Sequence, residues 1–294
     1  MVKRNINAAD TVLDVIVYTV LFLLVAVTVY PLLYVILASL SDGDLLLAHR
    51  GLLWKPLGFS TLAYERALAN PAVWSGYWNT VQLVAGGIAV NLTMTILGAY
   101  VLSRRHVLWN KPLTIFVVLT MFFHGGIIPF YLVVKGTGVL NTLWALLLPF
   151  AVKTFHLIIM RTAFLSLPAS LEESAQIDGA GHLTMLLRIV LPLSMPVLAV
   201  IVLYTSVDKW NMWFYPSVFI QDKALYPLQL VLREILIQNY TDNISAGVSA
   251  GDVRKVGETI KYATIVIATV PVLLVYPFLQ KYFVKGALIG AIKG

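Results

Sequence analysis

Cysteine is absent from all 294 residues, which excludes disulfides, thiolate metal sites, Fe–S clusters and cysteine nucleophiles together. Charge is scarce too. Asp, Glu, Lys and Arg make up 12% of the chain, about half of the ~25% usual in globular proteins. No G-x-x-x-x-G-K-[ST] phosphate loop occurs, so this chain carries no Walker A site. The five histidines are scattered without metal-ligand spacing. No Ser/His/Asp set or carboxylate pair falls within an apolar run, and Glu172 and Glu173, being adjacent, face different sides of a helix. Hydrolysis by this chain is not expected. What remains is apolar: 59% of residues are hydrophobic and the mean hydropathy is +0.84. A soluble fold has to present part of its chain to water and has no place for so much apolar surface. The same numbers exclude disorder. The bilayer is therefore expected to be most of the solvent.

Charge-free windows locate the spans. Val15 to Ala38 is 24 residues without a charge. The window from Ala67 to Ser103 holds a second span, about 78–102, and Pro112 to Val134 a third. Residues 141–163 form a fourth, interrupted by Lys153 and closed by Arg161, while Ile189–Val207 and Tyr262–Gln280 give 19 residues each. Each run reaches the ~20 residues that cross ~30 Å of hydrocarbon. The runs are continuous rather than alternating, so helices are expected and not a barrel. The fold class expected is an all-α integral membrane protein with six transmembrane helices and one domain over 1–294. The first span is too long for a signal-peptide core and no A-x-A-like site follows it.

Six spans put both termini on one side. The short 2–3 connection carries Arg104, Arg105 and Lys111, while the short 3–4 connection carries only Lys135. The positive-inside rule then places the termini in the cytoplasm. This bias accounts for most of the +7 net charge, so nucleic acid is not an expected partner. Trp74, Tyr77, Trp78, Trp144, Trp210, Trp213 and Tyr262 fall near the outer boundary, and Tyr18, Trp109 and Tyr282 near the inner one, as an aromatic belt requires. Residues 225–240 read as a short amphipathic outer helix after Pro227.

The loop between spans four and five, about 166–188, is the most informative stretch. Ser170 and Glu173 have the spacing of a capping box, and Gly179 sits where a left-handed C-terminal cap is expected. A helix over about 170–178 is thus bracketed at both ends, with Leu171, Ser174, Ala175 and Asp178 on one face, small enough for another surface to approach. Nine residues after Gly179 comes Ile189-Val190-Leu191-Pro192. With Glu173-Ser174-Ala175, this pattern resembles the Glu-Ala-Ala loop motif of the inner-membrane permeases of ATP-binding-cassette (ABC) importers, Ser174 standing in place of the first Ala. The end, YPFLQKYFVKGALIGAIKG, is similar to the tails of the carbohydrate-importing branch. Residues 122–142 resemble its oligosaccharide subgroup, which includes lipoprotein-associated and plant-polysaccharide permeases.

The resemblance implies a type I ABC importer permease, with Glu172, Glu173, Ser174, Ala175, Asp178, Gly179, Ala180 and Gly181 in a coupling loop that seats in a separate ATPase. It implies a second permease subunit in a heterodimer, two ATPase subunits holding ATP and Mg, and an extracytoplasmic sugar-binding protein. It also implies an oligosaccharide substrate and a place in the bacterial cytoplasmic membrane. No cofactor is expected on this chain. Pro192 and Pro196 at the start of span five are expected to re-aim the helix leaving the loop.

Lys153 is the one charge deep within a span, with no acidic partner inside the apolar runs. Twelve residues after Asn141, it is expected ~18 Å along a continuous helix, with His156 and Met160 on a similar face. Such a charge faces a cavity or a partner rather than lipid. Two readings stand: a structural hydrogen bond to a neighbouring helix or subunit, or a place in the translocation path, where a cation would suit a uronate-containing oligosaccharide. Asn91 and Thr95, near Gly87 and Gly98, are expected either to pack helices together or to touch substrate. His124-Gly125-Gly126 and Pro129 should interrupt span three. Asp208, Trp210 and Asn211 should end span five, meeting a binding protein or closing the helix. The rival class is a secondary transporter or channel without an ATPase, which would need paired acidic groups in its spans.

Overall fold

The structure, a computed structural model, describes residues 8–104, 107–123, 125–245 and 259–274; for 8–10 and 238–245 it describes the backbone alone. Arg105, His124, residues 246–258 and residues 275–294 lie outside the described residues. The regular structure of the described residues is helical, with a single isolated bridge between Ser41 and Phe59. The chain forms two compact units, one of residues 1–70 and 235–269, the other of 71–234 and 270–294.

In the first unit, α1 (Ala8–Ser39) is apolar all round and every side chain from Thr11 to Val29 is exposed, as a lipid-facing helix requires. Only its last turns find protein. There Ala38, with Leu46 of α2 (Gly43–Ala48) and Leu53, makes a small core closed by Tyr34, Leu37, Leu57 and Tyr262. Asp42 starts α2 by accepting from the amides of Asp44 and Leu45, a standard N-cap. The hydroxyls of Ser39 and Tyr64, on α3 (Leu62–Ala69), lie 2.7 Å apart.

The second unit is built on α4 (Pro71–Ser103), 33 residues long. Next come α5 (Asn110–Leu119) and α6 (Ile127–Gly136). The run 112–134 is therefore two helices rather than one, interrupted at the Gly125-Gly126 step as its sequence suggests. The fourth run also differs from a continuous span. Two 3-10 turns, Leu143–Leu146 and Leu148–Phe150, lead to α7 (Thr154–Leu165) at an angle of 47°. After α8 (Ala169–Ile177), α9 (His182–Leu193) and α10 (Met195–Trp210) meet at 82°.

That bend has a local cause. Pro192 and Pro196 cannot donate backbone hydrogen bonds, and the turn Leu186–Val190 is already π-helical. The axis breaks at Ser194, as the two prolines predict. α11 (Phe214–Phe219) follows. α12 (Leu228–Ser245) begins just after Pro227, where the sequence places its outer helix. The last described helix is α13 (Thr259–Leu274). Among the described residues, Thr11–Ser39 and Pro71–Ser103 each suffice by length and composition to cross a membrane, and counting each bent pair as one span raises the number to four.

Two apolar clusters pack along α4. One gathers Leu83, Val134, Ala145, Leu146, Phe219 and their neighbours. The other gathers Ala99, Tyr100, Met160, Phe164, Val190 and Ile201. Between Leu83 and Ala99, in the middle of the helix, lie Asn91 and Thr95, both buried.

Candidate functional sites

The break before α7 releases backbone groups that a helix would have satisfied internally. Inside a bilayer such groups have to be met by protein, and two side chains meet them. The Asn91 Nδ2 donates to the carbonyls of Ala151 (3.1 Å) and Phe150 (3.4 Å). The Lys209 Nζ donates to the Leu146 carbonyl at 2.6 Å and lies 4.6 Å from the centre of the Phe150 ring. Lys209 is 1% exposed. It threads past α4 only because residue 87 is glycine: a Cβ there would stand 2.8 Å from its Cγ. Gly98 plays the same part for Leu157, whose Cδ1 would stand 2.9 Å from a Cβ. Both glycines let helices approach closely, as their spacing suggests.

With Nδ2 committed to carbonyls, the Asn91 Oδ1 is an acceptor. It receives the Thr205 hydroxyl at 3.2 Å and stands 3.0 Å from the His156 Nδ1, so this nitrogen carries the proton. The His156 ring stacks on Tyr204, centroids 6.1 Å apart. Asn91 thus joins α4, α7, α10 and the break in one buried polar node. The Thr95 hydroxyl is buried with no hydrogen-bond partner among the described residues. Met160 belongs to the apolar core rather than to this node.

Lys153 does not lie within a continuous helix. It is the residue that opens α7, in extended conformation. Its ammonium pairs with the Asp208 carboxylate of α10 at 2.8 Å. The expectation of a lone intramembrane charge is therefore corrected. α10 runs on to Trp210, three residues past the charge-free window, and brings Asp208 to Lys153 and Lys209 to the break. Asn211 caps that helix, as its sequence suggests. Lys209 and the Asp208 partnership escaped the sequence reading because a window that stops at the first charge discards exactly the charges that a helix carries inward.

The second site is the loop around α8. Its predicted capping box does not form. The helix starts at Ala169 with Pro168 as its cap residue and no side-chain cap bond. Ser170 already lies within the first turn, so its hydroxyl is not placed to cap. The other end is as expected: Gly179 takes φ +79°, the Gly179 amide donates to the Gln176 carbonyl and the Ala180 amide to that of Ala175, a Schellman closure. Ala175 is buried against its own unit, contrary to the face assigned to it, while Leu171, Glu173, Ser174, Ile177 and Asp178 are exposed. Ile177, at 86%, is an apolar side chain with almost no cover.

α8 is tied to the end of α4. Arg104 pairs with Glu172 and lies 4.2 Å over the Tyr100 ring. The Tyr100 hydroxyl donates to the His182 carbonyl at 3.1 Å. Burial lowers the Arg104 pKa from its ordinary value, with Tyr100 opposing the shift; a guanidinium remains charged regardless. The open carbonyls at the end of α4 are met as well: Leu102 accepts from the Arg161 Nε and the Asn110 Nδ2, each at 2.9 Å. A cavity of about 510 Å³ lies under α8, lined by Arg104, Phe164, Leu167, Glu172, Glu173 and Gln176 among others.

A family model described as the binding-protein-dependent transport system inner membrane component matches residues 6–288. The chain belongs to this family. Among its relatives is a polygalacturonan/rhamnogalacturonan transport system permease protein of Bacillus subtilis strain 168, 41% identical over 288 residues, covering 96% of this chain and 98% of the relative. Protein LplC of the same organism is 42% identical over 269 residues, covering 92% and 90%. A crystal structure of a bacterial ABC transporter involved in the import of the acidic polysaccharide alginate contains a chain 30% identical to this one. It matches with a TM-score of 0.87 over 96% of this chain and 100% of that one. The protein is thus a transport permease with the fold of a type I ABC importer subunit.

Proposed function

We propose that this permease forms half of the membrane pathway of an oligosaccharide importer, with α8 as its coupling helix. The observation that carries the reading is the construction of α8: a helix closed by Gly179, tied to α4 through Glu172 and Arg104, and presenting Glu173, Ser174, Ile177 and Asp178 outward. Ile177 and Leu171 add open apolar surface to the polar side chains of that helix, as a face that seats against another protein requires. ATP hydrolysis belongs to that partner, since no phosphate loop occurs in this sequence. Six spans, cytoplasmic termini and a coupling loop through Ala180 and Gly181 complete the reading. The remaining partners are a second permease subunit, a second ATPase and an extracytoplasmic sugar-binding protein.

Alternating access would follow. Closure of the ATPases draws the coupling helices together, Arg104 passes the displacement to α4, and the bends at Ser194 and before Lys153 let short segments move against longer ones. Lys153, His156 and Asn91 then belong to the path or its wall. The relatives' names point to oligosaccharide cargo. The test is ATP hydrolysis by the reconstituted complex with its binding protein across neutral and acidic oligosaccharides. Stimulation by one sugar class is expected; failure of the intact chain to recruit any ATPase contradicts the reading.

A further inference from the structure

The three charged side chains around the break are not equivalent. Lys209 is sealed, its ammonium committed to a backbone carbonyl and a ring face. Lys153 and Asp208 are not, since their side chains are 29% and 39% exposed. A charge left partly open within a membrane faces a water-filled cavity or a neighbouring subunit rather than lipid. This pair is open, and two lysines against one aspartate leave the cluster with one positive charge in excess. Beside it lies an aromatic surface. Tyr204 precedes Asp208 by one turn on the same face of α10 and is 40% exposed. Phe155, two residues after Lys153, is 53% exposed, and the two rings lie 6.4 Å apart. Half-open rings beside a charged pair are what a sugar chain requires: apolar faces for its C–H surface and a charge for its substituent.

We infer that Lys153, Asp208 and Tyr204 form a subsite for a uronate residue of an acidic oligosaccharide, in which Asp208 holds the Lys153 ammonium until the substrate carboxylate replaces it. Asp208 then acts as an internal stand-in for the cargo. It keeps the lysine charged and oriented in the empty pathway and loses its partner only to another carboxylate. The excess positive charge of the cluster makes that exchange favourable for an acidic sugar and leaves a neutral one with nothing to displace. Lys209 fixes the backbone on which Lys153 is mounted and takes no part in the exchange.

The inference rests on the importer reading, and its test separates the two. The complex is reconstituted in vesicles and supplied with binding protein saturated with trigalacturonate or with the same trimer reduced at its carboxyls. Uptake and ATP hydrolysis are recorded together. K153M/D208N removes both members of the open pair together and leaves Lys209 on the Leu146 carbonyl and the Phe150 ring, so the variant should assemble, and stimulation of ATP hydrolysis by loaded binding protein reports that it has. Uptake of trigalacturonate is then expected to fall about tenfold, the scale of one lost charge-assisted hydrogen bond, while uptake of the reduced trimer holds. D208N alone is expected to lower the KM for the acidic trimer. Unchanged uptake of the acid in the double variant overturns the inference, as does an equal fall for both sugars, which marks a structural pair. A wild-type complex that recruits its ATPases but neither takes up trigalacturonate nor hydrolyses ATP faster in its presence overturns the inference and leaves the importer reading standing, whereas failure to recruit any ATPase overturns the importer reading itself.

Discussion

At the scale of single residues, the site depends on how Gly87 and Lys209 share space. The lysine stem passes against α4 where a Cβ would stand 2.8 Å from its Cγ and 3.0 Å from its Cε, and its ammonium is held by the Leu146 carbonyl. The stem has no freedom to step aside without giving up that bond. G87A is therefore expected to destabilise the permease by ~1–3 kcal/mol, the usual cost of overpacking, read as a lower thermal midpoint in detergent. K209A removes the obstacle along with the bond, so the double variant G87A/K209A should lose less than the two single losses added together, as residues in contact do. Strict additivity would mean that the glycine and the lysine do not contend for the same volume. None of this was legible beforehand. Gly87 read as a helix-packing glycine, which it is, but what it makes room for is a charged side chain from a helix more than a hundred residues away in sequence.

At the scale of elements, the legible features were those with a local cause. Gly179 takes the left-handed cap expected of it, Pro192 and Pro196 flank the 82° bend, and α12 starts after Pro227. The features that escaped have a distant cause. The irregular stretch between Leu146 and Lys153 is held by Asn91, which donates to the Phe150 and Ala151 carbonyls, and by Lys209, which donates to that of Leu146, and no window on 141–163 contains either residue. The capping box failed for a smaller reason, since the chain turns helical one residue before Ser170. The pair between Arg104 and Glu172 is likewise non-local, and it is where the link between α8 and α4 can be tested. R104Q and E172Q should each keep ATP hydrolysis stimulated by binding protein while uptake per ATP falls by about fivefold or more, the lower range of measured coupling energies. The charge swap R104E/E172R should recover part of the loss. Loss of hydrolysis and uptake in step, without recovery in the swap, would make the pair a folding contact alone.

At the scale of the whole molecule, the composition already settled the solvent. A chain with 59% hydrophobic and 12% charged residues belongs in a bilayer, and the match of residues 6–288 to the inner-membrane permease family agrees with the loop motif around Glu173 and Gly179. The charged cluster at Lys153, Asp208 and Lys209 is what a rival reading as an ion-coupled transporter would call upon, because a secondary transporter needs acidic groups in its spans. The two accounts differ in their source of energy. In the importer proposed above, the cluster is to recognise cargo and the work is to arrive through α8 from an ATPase. The deciding measurement is oligosaccharide uptake into vesicles containing this permease with its partner permease and ATPases, with ATP and ion gradients supplied separately. Uptake that requires both ATP and the binding protein, and that persists when every gradient is dissipated, is the result this account predicts. Uptake driven by a proton or sodium gradient in the absence of ATP would contradict it.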